Sequence, residues 1–269
     1  MSEFMSEYAV YAVQYASQDR RSRDNFLEGD PHDRSMPMDF FVWVLVGPQA
    51  TIIVDTGFDE RSGRGRGRPL SRPVPEGLKQ LGVDPERVED VIITHLHWDH
   101  AGNHDLFPNA RYHVQEREMH FCTGRCMCQP ALRKAYNSDD VTRMVQRTFE
   151  GRVKFHDSQS QFADGISLHW VGGHSKGLQV VRVRTRRGFL VLASDAAHYY
   201  ANALQRRPYP LLVDLDDMLD GFEALDRLGD SPSHIIPGHD PQVLTLFPAA
   251  RDGLEGIVRL DANPLGHPA

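Results

Sequence analysis

The sequence has few cysteines, no long apolar run and no excess of positive charge. Its 269 residues include three cysteines, Cys122, Cys126 and Cys128, and no second cluster that would complete a tetrahedral metal site with them. The longest wholly apolar run, residues 40–46, is far shorter than the roughly 20 residues of a membrane span. The net charge of −7 disfavours nucleic acid and anionic membranes as partners.

The beginning of the chain has no basic flank followed by an apolar stretch, so no signal peptide is predicted. We therefore expect a cytoplasmic protein whose cysteines are reduced and structural, with a redox or soft-metal role as the alternative. Hydrophobic residues make up 40% and charged residues 25% of the chain, as in ordinary globular proteins. No repeat or low-complexity linker divides the sequence, so we predict one α/β domain over residues 1–269.

Hydrophobic patterning predicts alternating strands and helices. Strands are predicted at residues 8–15, 40–54, 91–94, 166–171, 179–185, 189–194 and 235–238, with Gly47 and Pro48 forming a hairpin turn. Helices are predicted at residues 75–82 and 139–149 and from Asp214, where apolar residues recur at helical spacing. Residues 61–72 contain five arginines and three glycines. They are interpreted as a solvated mobile loop or, alternatively, as a lid or a contact in a homodimer.

The most informative stretch follows the predicted strand at residues 91–94. It places His95, His97, Asp99 and His100 in one short loop. Imidazole and carboxylate ligands together suit Zn, Mn or Fe, and so many ligands in one loop are enough for two ions. A histidine-rich surface loop, the alternative, accounts poorly for this spacing directly behind a strand. The chain is therefore predicted to bind metal.

Three further candidate ligands follow later predicted strands. His174 lies beside two glycines that let the backbone approach an ion closely. Asp195 ends an apolar strand, where a carboxylate also commonly caps the next helix, and the two roles can coexist. His239 follows a strand that runs into a tight turn. Each residue alone is weak evidence, but together they extend the candidate metal site.

These motifs carry a family resemblance. Residues 94–103, THLHWDHAGN, resemble the signature loop of the metallo-β-lactamase superfamily of hydrolases. GGHS at His174, ASDA at Asp195 and PGHD at His239 follow in that family's order. VDTG at Asp55 resembles the early motif whose aspartate supports the ligands. The resemblance implies an αββα sandwich of two mixed β-sheets with outer helices, with the metals at one edge between the sheets.

The resemblance also implies how two divalent ions would be held. Zn is expected, with Mn or Fe as alternatives. The first ion would be held by His95, His97 and His174, the second by Asp99, His100 and His239, and Asp195 would bridge them. A bridging hydroxide would attack the substrate carbonyl, and Asp99 would pass a proton to the leaving alkoxide.

Within the superfamily, the loop and the region after Asp195 are most similar to the N-acyl homoserine lactonase group. That group carries a tyrosine three residues beyond the bridging aspartate, whereas here the position is His198, followed by Tyr199 and Tyr200. We expect His198 or Tyr199 to donate a hydrogen bond to the developing oxyanion, with His198 favoured by its register. The alternative is that the metals stabilise the oxyanion alone.

The predicted function is therefore the hydrolysis of a small-molecule lactone or related cyclic ester. N-acyl homoserine lactones are the candidate substrates, with quorum quenching as the corresponding role. The alternatives are a thioesterase of the glyoxalase II kind or a phosphodiesterase on the same fold, and a non-catalytic metal-binding protein.

Overall fold

The computed structural model describes residues 5–268, so residues 1–4, which belong to the N-terminal stretch discussed above, and residue 269 lie outside the described residues. The strands of the described part are β1 (Ala9–Gln18), β2 (Met38–Val46), β3 (Thr51–Val54), β4 (Asp90–Ile92), β5 (Arg111–Gln115), β6 (Val153–His156), β7 (Gln159–Ala163), β8 (Ile166–Trp170), β9 (Gln179–Thr185), β10 (Gly188–Ser194), β11 (Ile235–Pro237) and β12 (Ile257–Arg259). Its α-helices are α1 (Glu60–Gly65), α2 (Val74–Gln80), α3 (Trp98–Ala101), α4 (Glu116–Thr123), α5 (Pro130–Arg133), α6 (Ser138–Phe149), α7 (Tyr200–Leu204), α8 (Leu215–Leu228) and α9 (Gln242–Leu246).

The strands form two mixed sheets. One sheet has seven strands in the order β12-β1-β2-β3-β4-β5-β6, and the other has five in the order β11-β10-β9-β8-β7. Strands β3 to β6 are parallel neighbours, as are β10 and β11, and the other pairs are antiparallel. The predicted pair of mixed sheets is confirmed.

Three hydrophobic clusters hold the layers together. Trp43 of β2 packs with Leu192 of β10 between the two sheets. Its neighbour Val44 packs with Met144 of α6 on the opposite face of the larger sheet, because successive side chains of a strand alternate between faces. Phe222 of α8 packs against the outer face of the smaller sheet. Helices thus cover both outer faces, which gives the predicted αββα sandwich.

Most predicted elements are present with small shifts of their ends. The region 40–54 splits into β2 and β3, and Gly47 N donates to Ala50 O at 2.9 Å in the predicted turn. The predicted helices correspond to α2, α6 and α8. The interpretation of residues 61–72 as a loop needs correction, since α1 covers the first five of them. Asp59 begins that helix by accepting a hydrogen bond from Ser62 N at 2.7 Å.

The longest helix of the described part, α8, has 14 residues, and no helix within residues 5–268 is long and apolar enough to cross a membrane. That the whole chain forms one domain stays a prediction.

Two pairs of parallel strands position the candidate site. Strands β3 and β4 end side by side in the larger sheet, and β10 and β11 end side by side in the smaller one. Parallel neighbours direct their carboxyl ends toward the same edge of a sheet. The residues that follow these four strands include Asp55, His95, Asp195 and His239.

Candidate metal centre

A buried carboxylate lies at the centre of the candidate site. Asp195 Oδ2 lies 3.0 Å from His174 Nε2 and 3.9 Å from His95 Nε2. Its other oxygen, Oδ1, lies 3.0 Å from His239 Nε2 and 3.1 Å from His100 Nε2. Each oxygen thus faces different imidazoles, which is the arrangement expected of a carboxylate between two cations.

All seven predicted ligands are brought together in two groups. Within each group, the candidate ligand atoms lie within 4.8 Å of one another. The first group contains His95, His97, His174 and Asp195, and the second contains Asp99, His100 and His239.

Unsatisfied polar atoms show that these residues suit a cation. His95 Nε2 is buried and has no hydrogen-bond partner among residues 5–268, and His100 Nε2 lies 3.1 Å from Asp195 Oδ1 without a well-directed hydrogen bond. Buried polar atoms are normally paired, so two such ring nitrogens beside one carboxylate fit a site for metal. Burial lowers the pKa of His95 and His97 well below the usual value, and neighbouring imidazoles lower it further. Both rings are therefore neutral, as metal ligands must be.

The outer nitrogens of three histidines fix which atom faces the centre. His174 Nδ1 lies 2.6 Å from Leu211 O, and His239 Nδ1 lies 2.8 Å from Asp39 O. A carbonyl oxygen only accepts hydrogen bonds, so Nδ1 of both rings carries a proton and Nε2 is the ring nitrogen that faces the centre. His100 Nδ1 is held in the same way by a carboxylate, as described next.

Asp55 supports the ligand loop from behind. Its Oδ2 lies 2.7 Å from His100 Nδ1 and 2.8 Å from Thr94 Oγ1, and its Oδ1 accepts from Thr94 N at 2.7 Å. Asp55 and Ser194 both have positive φ, 58° and 47°, which is uncommon for residues other than glycine and often marks functional sites. The strained turn at Ser194 directs the next residue, Asp195, into the centre.

A glycine allows the last ligand loop to approach. A Cβ atom at Gly238 would lie 2.7 Å from Ser194 O and 3.0 Å from Asp195 Oδ1. Any side chain at this position would therefore displace the central carboxylate or the turn that carries it.

Glu118 is a buried residue of the site that sequence reasoning missed. Its Oε1 accepts hydrogen bonds from Leu96 N at 2.9 Å and Tyr136 Oη at 3.0 Å. Its Oε2 accepts from Ser175 Oγ at 2.8 Å and Gly177 N at 3.0 Å. One carboxylate thus ties the loop of His95 and His97 to the loop of His174. No local pattern distinguishes this glutamate from Glu116, the exposed glutamate of the same helix.

The three predicted catalytic residues have different environments. Asp99 is the most exposed predicted ligand, with 14% of its side chain accessible, and its Oδ2 lies 3.9 Å from His100 Nε2. His198 joins the cluster directly, with Nε2 3.0 Å from Asp195 Oδ2. With Asp195 and His239, it forms a third group of candidate ligand atoms. Tyr199 is fully buried in the hydrophobic core, so its donor role stays a prediction.

Comparisons with known proteins agree with this geometry. A family model described as the metallo-beta-lactamase superfamily matches residues 41–246. The chain is 26% identical to the N-acyl homoserine lactonase AttM of Azorhizobium caulinodans, over 91% of this chain and 98% of that protein.

Solved structures show the same fold. A quorum-quenching N-acyl homoserine lactone lactonase superposes with a TM-score of 0.73 at 20% identity, covering 89% of this chain and 94% of that one. AidC, a dizinc quorum-quenching lactonase, superposes with a TM-score of 0.65 at 15% identity, covering 88% and 92%. The family-model match covers most of the sequence, and the chain belongs to the metallo-β-lactamase superfamily.

Proposed function

We propose that the protein is a dinuclear metal-dependent hydrolase that opens a lactone ring. The observation that carries the proposal is the position of Asp195, whose two oxygens face His95 and His174 on one side and His100 and His239 on the other. Seven candidate ligands exceed what one tetrahedral ion uses. A carboxylate shared between two imidazole pairs fits two ions better than one.

The residues would divide between the ions as the family resemblance implies. The first ion would be held by His95, His97 and His174, the second by Asp99, His100 and His239, with Asp195 shared. Two divalent ions supply Lewis acidity and a nucleophile that is available near neutral pH. Zinc is the metal we expect, with manganese or iron as alternatives.

Two side chains, Asp99 and His198, would assist the reaction of the substrate carbonyl by carrying a proton and by donating a hydrogen bond. Asp99 is the predicted ligand most accessible to a substrate, so it is placed to carry a proton to the alkoxide that leaves when the ring opens. Burial lowers the pKa of His198 to about 3, so its ring is neutral and carries one N–H. That N–H either donates to Asp195 through Nε2 or is carried on Nδ1, which is buried and has no hydrogen-bond partner among residues 5–268.

Burial of the remaining ligands excludes bulk water. His95, His100, Asp195 and His239 are each no more than 2% exposed, so charge that develops on the substrate is stabilised in a low-dielectric surrounding. A substrate would approach from the side of Asp99, which is the most exposed of the predicted ligands among residues 5–268.

Relatives favour a lactone over other esters. AttM, named an N-acyl homoserine lactonase, aligns with nearly the full length of both chains. We therefore propose an N-acyl homoserine lactone or a related lactone as substrate and quorum quenching as the role, in the cytoplasm. A homodimer, and the absence of nucleic-acid and membrane partners, stay predictions.

A substrate panel tests the proposal. Protein reconstituted with metal is assayed on a γ-lactone, a thioester and a phosphodiester, with Asp195→Asn as the control for the metal centre. We expect the lactone to give the highest kcat/KM and the variant to lose this activity. Preference for the thioester or the phosphodiester would assign the chain to another activity of the fold, and no turnover would favour a non-catalytic metal protein.

A further inference from the structure

Three arginines lie against the two aromatic rings that border the metal centre. Arg66 Cζ lies 4.6 Å from the centroid of the Trp98 ring, and Arg68 Cζ lies 5.8 Å from it. Arg20 Cζ lies 5.5 Å from the centroid of the Tyr209 ring. These three side chains are called the arginine rim below.

Both aromatic rings lie next to residues of the metal centre. Trp98 lies in the ligand loop, between His97 and Asp99. Tyr209 stacks on His198 with ring centroids 3.6 Å apart and an angle of 10° between the planes. Stacking on an aromatic face holds a guanidinium group in a fixed orientation while leaving its N–H groups free to bind. The arginine rim is therefore oriented next to the metal ligands.

The rim arginines lack ionic partners. Among residues 5–268, none of the three has a carboxylate oxygen within 4.0 Å. Arg66 donates to Lys134 O at 3.0 Å and to Asn137 Oδ1 at 3.3 Å, and Arg68 donates to a backbone carbonyl. Arg20 donates to an amide oxygen at 2.7 Å and a carbonyl at 2.6 Å. All of these acceptors are neutral, so none of the three guanidinium groups is directly paired with a carboxylate.

Metal binding would leave the rim with even less compensation. Partial burial lowers the pKa of Arg66, with Arg68 adding to this, while Asp99 and, to a smaller extent, Asp140 oppose it. Asp99 is therefore the stronger of the two negative charges near Arg66, and it is a proposed metal ligand. Once Asp99 and Asp195 are neutralised by divalent ions, the rim has positive charge on its inner side as well. A bound anion would relieve this repulsion.

We infer that the arginine rim binds a carboxylate of the substrate, so that the preferred lactone carries a negative charge away from its ring. This inference rests on the proposed function and narrows its substrate class. A guanidinium presents parallel N–H groups that match the two oxygens of a carboxylate. The scissile carbonyl would lie at the metals, and the carboxylate would lie across Trp98 or Tyr209. The rim also offsets the net charge of −7, which otherwise repels anionic substrates.

Matched lactone pairs test this inference. The metal-loaded protein is assayed on homoserine lactones whose acyl chains end in a carboxylate, at several chain lengths, each beside the uncharged lactone of the same length. At the best length, we expect the carboxylate to raise kcat/KM by about tenfold, as one charged hydrogen bond would. The preference should shrink at high ionic strength, because salt screens the attraction.

Variants connect the preference to the rim. Arg66→Gln and Arg68→Gln should each reduce the ratio of the two kcat/KM values by several-fold, and Arg20→Gln should reduce it as well. The matched control is Arg64→Gln, which removes an exposed arginine of α1 that is already paired with Glu60 and should leave the ratio unchanged. Equal loss on both lactones in the rim variants would show that these residues only support the fold.

The outcomes separate the inference from the proposed function. If both members of each pair are opened equally well, or the uncharged one is preferred at every length, the inference is wrong and the lactonase proposal stands. If a phosphate-bearing lactone is strongly preferred to the carboxylate, the rim recognises phosphate and the carboxylate assignment is wrong. If no lactone is opened at all, the proposed function fails, and the inference fails with it.

Discussion

Replacing Glu118 should loosen the metal centre from outside the ligand set. Its carboxylate is fully buried and accepts four hydrogen bonds, which join the loop of His95 and His97 to the loop of His174. Glu118→Ala would leave four buried donors without their acceptor. Ligands that are oriented by such partners commonly lose about 10- to 100-fold in metal affinity when the partner is removed.

The cost to stability follows from the same four contacts. A hydrogen bond to a charged group contributes about 1.5–3 kcal/mol, and such contributions are not additive within one network. We therefore expect Glu118→Ala to lower the free energy of unfolding by on the order of 4 kcal/mol. Glu118→Gln keeps one acceptor oxygen and should lose about half as much. Glu116→Gln is the matched control, because Glu116 lies on the same helix with 56% of its side chain exposed.

The assay has two parts. Chemical unfolding of the metal-free proteins gives the stability change, and competition with a chromophoric chelator gives metal affinity at a temperature where every variant is folded. We expect affinity to fall in the order wild type, Glu118→Gln, Glu118→Ala, with the control equal to wild type. A folded Glu118→Ala protein with wild-type metal affinity would refute the positioning role.

Three further predictions concern single residues. Asp195→Ala should lose at least one ion and nearly all turnover while circular dichroism shows the fold retained; substantial turnover would mean that Asp195 is only a helix cap. His198→Ala should lower kcat by on the order of 10²-fold, whereas Tyr199→Phe should change it little, and similar small effects of both would leave oxyanion stabilisation to the metals. Burial lowers the pKa of His104 to about 3 in the folded protein. Between that pH and about pH 6.5, the unfolded state binds a proton at His104 and the folded state does not. The free energy of unfolding should therefore fall by about 1.4 kcal/mol per pH unit from about pH 6.5 downward, and chemical unfolding of His104→Gln should show a shallower dependence.

The ligand loops could be predicted because their chemistry is local in sequence. His95, His97, Asp99 and His100 follow one strand, so their proximity needs no knowledge of the fold. His174 and His239 were recognisable only through their order and flanking glycines, and Asp195 only through its order behind a strand, since nothing local indicates that separate loops meet. The larger sheet was only partly predicted, because β5 and β6 are short strands. In β6, two adjacent exposed residues interrupt the alternation of buried and exposed side chains that indicates a strand.

The residues that sequence reasoning missed act through contacts across the fold. In the sequence, Glu118 cannot be told apart from an ordinary helix glutamate. Its role depends on the position of α4 beneath two ligand loops, where its carboxylate accepts hydrogen bonds from both. Tyr209 lies in a segment without helix or strand, and its stacking on His198 depends on the path of that segment over the centre. Glycines in residues 61–72 favour a loop by propensity, yet a capped first turn forms α1 and places Arg66 over Trp98.

The central claim is that two ions held around Asp195 act together in opening a lactone. Its most direct test is a titration of metal-free protein with zinc while ring opening of N-hexanoyl homoserine lactone is followed, with bound metal measured in the same samples. We predict that the protein is inactive without metal and reaches its maximal rate only when two ions are bound per chain. Full activity with a single bound ion, or activity independent of metal, would contradict the account.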